Sequence, residues 1–416
     1  MALIVQKFGG TSVGSTEKIK NVARRVLTSH QQGNQMVIVL SAMAGETNRL
    51  VALANEMQHL PDGREMDVLL STGEQVTVAL FAMAVKEAGF DAVSLLGDQI
   101  KIHTDSMHTK ARIRSIATDV ITKQLAAGRI VTIAGFQGVD PENNITTLGR
   151  GGSDTTAVAL AASLHADACE IFTDVEGVYT ADPNICPSAR KIDKITYDEM
   201  LELASLGAKV LDIRSVGLAK RYNVPVHVRS TFTEKEGTWV VKEDKNMESM
   251  LVSGVTYNKN EARITISKVP DKVGVASRIF TPISDAGIII DMIIQNTRAG
   301  DLTDMTFTVP RNDYERAMQI VSDVSKDLGA GVSGSTDIAK VSIVGVGMRN
   351  HSGIATTMFH ILAKEGINIM MISTSEIKIS CVIEEKYTEL AVRALHEAFA
   401  LDKINQSVEE ELPIGP

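Results

Sequence analysis

Two stretches near the end of the chain repeat each other at a fixed interval, and that interval constrains the fold more than any other feature. "ITISKVPDKVGVASRIFTPISDAGIIIDMI" begins at Ile264 and "VSIVGVGMRNHSGIATTMFHILAKEGINIMMI" begins at Val341. Gly274, Phe280, Gly287 and Ile290 match Gly353, Phe359, Gly366 and Ile369, each pair about 79 residues apart. A fixed period marks one supersecondary unit used twice. Each copy reads strand, glycine loop, helix, glycine turn, strand and further strand. That is the βαββαβ pattern of a ferredoxin-like module.

The region before the repeats has a different rhythm. "ALIVQKF", "QMVIVLSA", "DAVSLLG", "RIVTIAGF" and "ACEIFTDV" are short apolar strands, separated by helical segments such as "STEKIKNVARRVLTSH" and "DTTAVALAASLHA". Such alternation predicts a mostly parallel sheet sandwiched by helices. The charged stretch "KEDKNMESM", residues 242 to 250, reads as a linker. The expected domains are therefore 1–245, 262–338 and 339–416, which suits a chain of 416 residues.

Chemistry gathers at the ends of the early strands. "KFGGTSVG" closes the first strand and precedes a helix. Glycines there let the backbone approach a ligand, and free N–H groups at a helix start favour an anion. Gly9 and Gly14 have the P-loop spacing, but Ser15 stands where that motif needs lysine; the lysine is Lys7, at the strand's tip. "SAMAGETNRL", "STGEQVTVAL", "TTLGRGGSDTTAVALAA" and "FTDVEGVYTADP" supply further loops. Ligands of open α/β sheets bind at the carboxyl ends of strands. His103, His108 and His227 lack metal-ligand spacing, which points to structural or surface roles.

Composition excludes other classes. The net charge of −9 carries no bulk basic footprint for nucleic acid, and 4% aromatic residues argue against a base-stacking surface. Cys169, Cys186 and Cys381 lie far apart, so a reducing, cytoplasmic setting is expected. No apolar run approaches the ~20 residues of a membrane helix.

The motifs Lys-Phe-Gly-Gly-Thr-Ser-Val, Ser-Ala-Met, Ser-Thr-Gly-Glu, Thr-Leu-Gly-Arg-Gly-Gly-Ser-Asp-Thr-Thr and Thr-Asp-Val-x-Gly-Val-Tyr-Thr-Ala-Asp-Pro, followed by two βαββαβ repeats, resemble the aspartate kinases of the amino-acid kinase superfamily. The likeness spans essentially the whole chain. It implies an amino-acid kinase fold followed by two ACT domains. It also implies transfer of the ATP γ-phosphoryl group to the β-carboxylate of L-aspartate, with ATP and Mg2+. That step opens lysine, threonine and methionine biosynthesis.

Carried over by position, the resemblance makes Lys7 the residue that stabilises charge on the transferred group. Phe8, Gly9, Gly10, Thr11 and Ser12 surround the phosphates. Ser41 and Thr47 hydrogen-bond at the substrate and phosphate end. Glu74 meets the substrate's α-ammonium. Arg150 grips a carboxylate in bidentate fashion, completed by Gly151, Gly152 and Ser153. Asp154 orients Lys7 or a magnesium-bound water. Thr173, Asp174, Tyr179, Asp182 and Pro183 hold ribose and adenine, and Lys209 reaches the phosphates. Magnesium sits mainly on phosphates and water.

The same resemblance makes the repeats a sensor of lysine, threonine or both. Asp271, Gly274, Val275, Ala276, Asp291 and Gln295 form the first candidate effector site. Ile354, Ala355, Asn368, Ile369, Ser375 and Glu376 form its counterpart. It further implies a homo-oligomer, or a tetramer with a short ACT-only chain started at Met247 or Met250. Two rivals remain at this level: another amino-acid kinase, or a non-catalytic ACT sensor.

Overall fold

The computed structural model describes residues 1–206, 210–244, 251–298 and 301–403. Its compact units are Met1–Val178 with Lys191–Met247, and Tyr179–Arg190 with Glu248–Pro416. Residues Tyr179–Arg190, inside the expected 1–245 segment, thus pack with the second unit.

The first unit contains, in chain order, β1 (Leu3–Phe8), α1 (Thr16–Gln31), β2 (Gln35–Leu40), α2 (Glu46–Met57), α3 (Gly63–Glu87), β3 (Ala92–Leu95), β4 (Ile102–Thr104) and β5 (Ile113–Ile116). It continues with α4 (Asp119–Ala126), β6 (Ile130–Ala134), β7 (Gln137–Val139), β8 (Ile145–Thr147), α5 (Gly152–Leu164) and β9 (Ala168–Thr173). Then follow β10 (Lys194–Thr196), α6 (Tyr197–Ser205), α7 (Ile213–Tyr222), β11 (Val226–Ser230) and β12 (Thr238–Val241). Eight strands form one sheet in the order β10-β12-β11-β9-β1-β2-β6-β3. Every pairing in it is parallel except β11 with β12. The four remaining strands make a small side sheet.

β1 shows why the two faces of this sheet differ. Side chains alternate along a strand. Phe8 points into the core with Val22 and Val26 of α1 and Phe81 of α3, and its ring stacks on Phe172 with centroids 4.6 Å apart. Lys7 is therefore delivered to the opposite face, where α5 lies.

α3 qualifies the reading of apolar runs. Among the described residues it is the one helix long and apolar enough to cross a membrane, although half of its apolar window is buried in the protein. This helix corrects the expectation that no such segment is present; its apolar residues are interleaved with polar ones, which hid it. Asp67, Ser71, Glu74 and Thr77, at helical spacing, are all buried. Asp67 accepts from Thr109 N and pairs with His108 Nδ1 at 2.8 Å, so this histidine is tied into the scaffold. His227 likewise stacks on Trp239.

The second unit contains β13 (Gly254–Pro270), α8 (Val275–Asp285), β14 (Ile293–Arg298), β15 (Leu302–Val309), α9 (Tyr314–Leu328), β16 (Gly331–Val344), α10 (Ile354–Lys364), β17 (Met371–Thr374), β18 (Lys378–Glu384) and α11 (Thr388–Ala398). They build one sheet, β14-β15-β13-β16-β18-β17. Both long strands serve two modules. Residues 263–267 of β13 pair with 331–335 of β16 and, on the other side, with β15. Residues 254–258 pair instead with 340–344, whose other neighbour is β18. The fourth strand of the second module therefore comes from the chain before the first module. The repeat hid this exchange, because strand 254–258 lies outside both copies.

Candidate active site

The carboxyl ends of β1 and β2 and the N-termini of α2 and α5 enclose a cleft of about 400 Å³. Lys7, Gly9, Gly10, Ser41, Thr47 and Glu74 line it, together with the run Arg150–Asp154. Parallel pairing brings these distant segments together: Lys7 lies beside Val39 of β2 and Ile171 of β9.

Charge is arranged unevenly in this cleft. Lys7 Nζ lies 2.6 Å from Asp154 Oδ1, with both side chains about nine-tenths buried. Glu74 is 4% exposed. Its Oε1 accepts from Ala42 N at 3.0 Å, while its Oε2 is buried without a hydrogen-bond partner among the described residues. Loss of water pushes the Glu74 carboxyl up to about 7, against the pull of its backbone bonds. Arg150 is exposed; its carbonyl accepts from Arg214 Nη2 at 2.6 Å. Among the described residues, its guanidinium has no ion-pair partner. The cleft thus offers an unmatched carboxylate oxygen and an unmatched guanidinium.

The helix starts that face the cleft are α2 and α5. Gly45 and Gly151 are their N-caps, in left-handed conformation (φ +84° and +70°), with no side-chain cap. Glu46 N and Gly152 N, the first of each helix, donate back to Met43 O and Gly149 O, so the N–H groups of the second and third residues of each helix are the ones left to an anion. The helix after the glycine loop differs from expectation. α1 begins at Thr16, and its Ser15 cap accepts from Lys18 N, so the loop itself closes as a turn through Ser12 N to Gly9 O. Several glycines in the cleft are sterically required, Gly10 and Gly151 among them. A Cβ on Gly10 would sit 2.9 Å from Ala42 O, and one on Gly151 would sit 2.2 Å from Asp212 Cγ.

The chain matches the amino acid kinase family over residues 2–230 and the ACT domain over residues 263–325 and 341–399. The aspartokinase of Pseudomonas aeruginosa is 58% identical over 405 residues, covering 97% of this chain and 98% of that protein. The chain belongs to the aspartate kinase family. Among solved structures, Escherichia coli aspartokinase III in complex with aspartate and ADP (R-state) is 25% identical with a TM-score of 0.79. It covers 95% of this chain and 99% of that one. The same enzyme in complex with lysine and aspartate (T-state) is 26% identical with a TM-score of 0.76, covering 95% and 99%.

Not every residue expected at an aspartate kinase site lines this cleft. Phe8 lies in the core, for the alternation reason given above. Ser12 pairs with Thr231 Oγ1 at 2.7 Å and lines a separate cavity with Lys18, Asn21 and Arg25. Thr11 uses its carbonyl to accept from Lys18 Nζ. Thr173 donates to Asp174 at the exposed end of β9. Tyr179, Asp182 and Pro183 belong to the second unit, where Asp182 accepts from Asn184 N and Tyr257 Oη. Lys209, Met247 and Met250 lie outside the described residues. The cleft also includes Met43 and Asn48, which lie inside the "SAMAGETNRL" loop but were given no role there, and Phe136, which follows a strand. Phe136, two residues past β6, has a positive φ of 69°.

Proposed function

We propose that the cleft of the first unit binds L-aspartate and carries out the family's phosphoryl transfer. The observation that carries this reading is the pairing of Glu74 Oε2, buried and unpartnered, with the unpaired guanidinium of Arg150 on one cleft. An amino acid presents an ammonium and a carboxylate that answer these two groups. Catalysis requires no general base, because an aspartate side chain with a reference pKa of ~3.9 is ionised at pH 7. What remains is in-line positioning and charge stabilisation. Lys7 supplies positive charge where the γ-phosphoryl group passes, and Asp154 fixes its ammonium. The free N–H groups of α2 and α5 and the close approach at Gly9 and Gly10 receive phosphate oxygens. Thr173 and Asp174 meet the nucleoside end.

Magnesium fits this cleft as an ion carried on the nucleotide. Among the described residues no three acidic, histidine or cysteine side chains converge. Asp154, beside Lys7, would hold water around the ion. When bound, the ion neutralises charge on the phosphates.

The second unit senses an amino-acid end product, lysine first and threonine second, near Asp291 and the α8 N-terminus. Gly274 caps α8 in left-handed conformation without a side-chain bond, and Gly353 does the same for α10. The setting is the cytoplasm, with an oligomeric assembly.

ATP-dependent acyl phosphate trapped with hydroxylamine tests the whole reading. L-aspartate, L-glutamate and N-acetylglutamate are compared, with and without lysine and threonine. Aspartate alone is expected to give hydroxamate, suppressed by at least one of the two amino acids. Hydroxamate from another substrate, or none from folded protein, overturns the assignment.

A further inference from the structure

Lys340 is a cation buried where the second ACT module pairs with the strand it takes from before the first. It lies on β16 opposite Asn258 of β13 and Val382 of β18. Its side chain is 5% exposed. Nζ lies 2.9 Å from Glu261 of β13, itself 5% exposed, and also contacts Asp291 Oδ2 just before β14. Burial of one ammonium is tolerated only with close countercharge. Burial works against the Lys340 charge, but the two carboxylates outweigh it and raise its pKa. Burial, joined by the neighbouring Asp291, holds the Glu261 carboxyl above its ordinary range.

The members of this triad are not equivalent. Two carboxylates share one lysine, so the group carries one excess negative charge. That excess is reachable from solvent only at Asp291, whose side chain is 43% exposed. Its Oδ2 is taken by Lys340, and Oδ1 has no partner among the described residues. Asp291 N donates to Thr308 O, and Met292 N donates to Thr308 Oγ1, so the backbone behind the carboxylate is also pinned to β15.

We propose that Lys340, held by Glu261, is the positioning residue that presents Asp291 Oδ1 to the α-ammonium of an amino-acid effector. This rests on the reading of the second unit as an amino-acid sensor and names the residues that make its ammonium acceptor. The lysine does not compete with the ligand: after an external ammonium arrives, the four charges sum to zero. Because Lys340 stands on the first strand of the second module and Asp291 belongs to the first, the contact also joins the two modules.

The test uses the full-length chain and the variant carrying Lys340→Met and Glu261→Gln together. This pair removes one charge of each sign, keeps similar volume, and leaves Asp291 with the same net charge of −1. Binding of L-lysine and L-threonine is measured by calorimetry, beside their analogues lacking the α-amino group, 6-aminohexanoate and 3-hydroxybutyrate. The expected result is about tenfold weaker binding of whichever amino acid binds the parent, no change for its deaminated analogue, and unchanged KM for aspartate and ATP. Equal weakening of amino acid and analogue means a general structural role and overturns the proposal. Unchanged or tighter binding overturns it as well. If neither amino acid binds the parent, the sensor reading itself falls. If Asp291→Asn loses binding while the double variant keeps it, the sensor reading stands and the role of Lys340 falls. Should the double variant unfold, Lys340→Arg, which keeps the cation between Glu261 and Asp291, is measured instead: retained binding of the amino acid is expected, and loss of amino acid and deaminated analogue alike overturns the proposal.

Discussion

At the scale of single residues, Glu74 couples substrate binding to pH. Its carboxyl has an ordinary value of 4.5 and titrates near 7 in the fold. Below 4.5 it is protonated in both folded and unfolded chains. Between 4.5 and 7 the unfolded chain loses this proton first, so the ligand-free fold loses stability as pH rises through that window. A bound ammonium reverses the preference, and aspartate affinity therefore rises over the same range. KM for aspartate is expected to fall about tenfold from pH 6 to pH 8, since one pH unit either side of 7 inverts the protonated fraction. Glu74→Gln should flatten that dependence and lower kcat/KM by about 10–100-fold, the cost of one charged hydrogen bond. Steady-state kinetics across the range, with thermal melts of the ligand-free protein, check both signs. Gly151 makes a second residue-level case. Gly151→Ala puts a Cβ into Asp212 at a φ of +70°, so the Arg150 loop must move. Activity is expected to fall at least tenfold while the folded core, read by circular dichroism, persists.

At the scale of elements, the sequence reported what local patterning encodes and missed what pairing decides. The strand tips at Lys7 and Ser41 and the helix starts at Arg150–Asp154 were legible, because glycine and charge at a strand's end leave a mark in the chain. The burial of Phe8 also lay within reach, since it follows from alternation once Lys7 is placed. The path of residues 179–190 was not legible, because nothing local distinguishes a loop packed on one unit from a loop packed on another. Its anchoring explains why it stays with the second unit. Thr180 is fully buried; its hydroxyl accepts from Arg190 N and pairs with His396 Nε2, both at 2.9 Å. Its carbonyl accepts from Val255 N at 2.7 Å, and Ala181 and Cys186 enter the core around Val341 and Met358. Thr180→Val keeps the volume and strands both partners. The expected loss is about 2 kcal/mol in denaturant unfolding of the full chain. A loss below about 0.5 kcal/mol would show that the hydroxyl is not what anchors this segment.

At the scale of the whole molecule, the exchange of strands decides how the chain can be divided. The 79-residue period suggests that the second module could be excised at about residue 339. The sheet contradicts that choice, because strand 254–258 completes the second module from the far side of the first. Val252 and Val255, 4% and 2% exposed, contribute to the same core as Ile343, Leu362 and Leu395. Removing them deletes two fully packed valines, each worth about 1.5–3 kcal/mol, and opens an edge of β16. A fragment of residues 251–403 is therefore expected to fold cooperatively, whereas one of residues 262–403 should lose its transition or aggregate through the exposed strand. The segment 179–190 is absent from both, so its loss cancels in the comparison. Parallel urea titrations followed by far-ultraviolet circular dichroism separate the outcomes. Equal midpoints for the two fragments would mean that the second module closes without its borrowed strand, and that the pairing of 254–258 with 340–344 is dispensable for the regulatory fold.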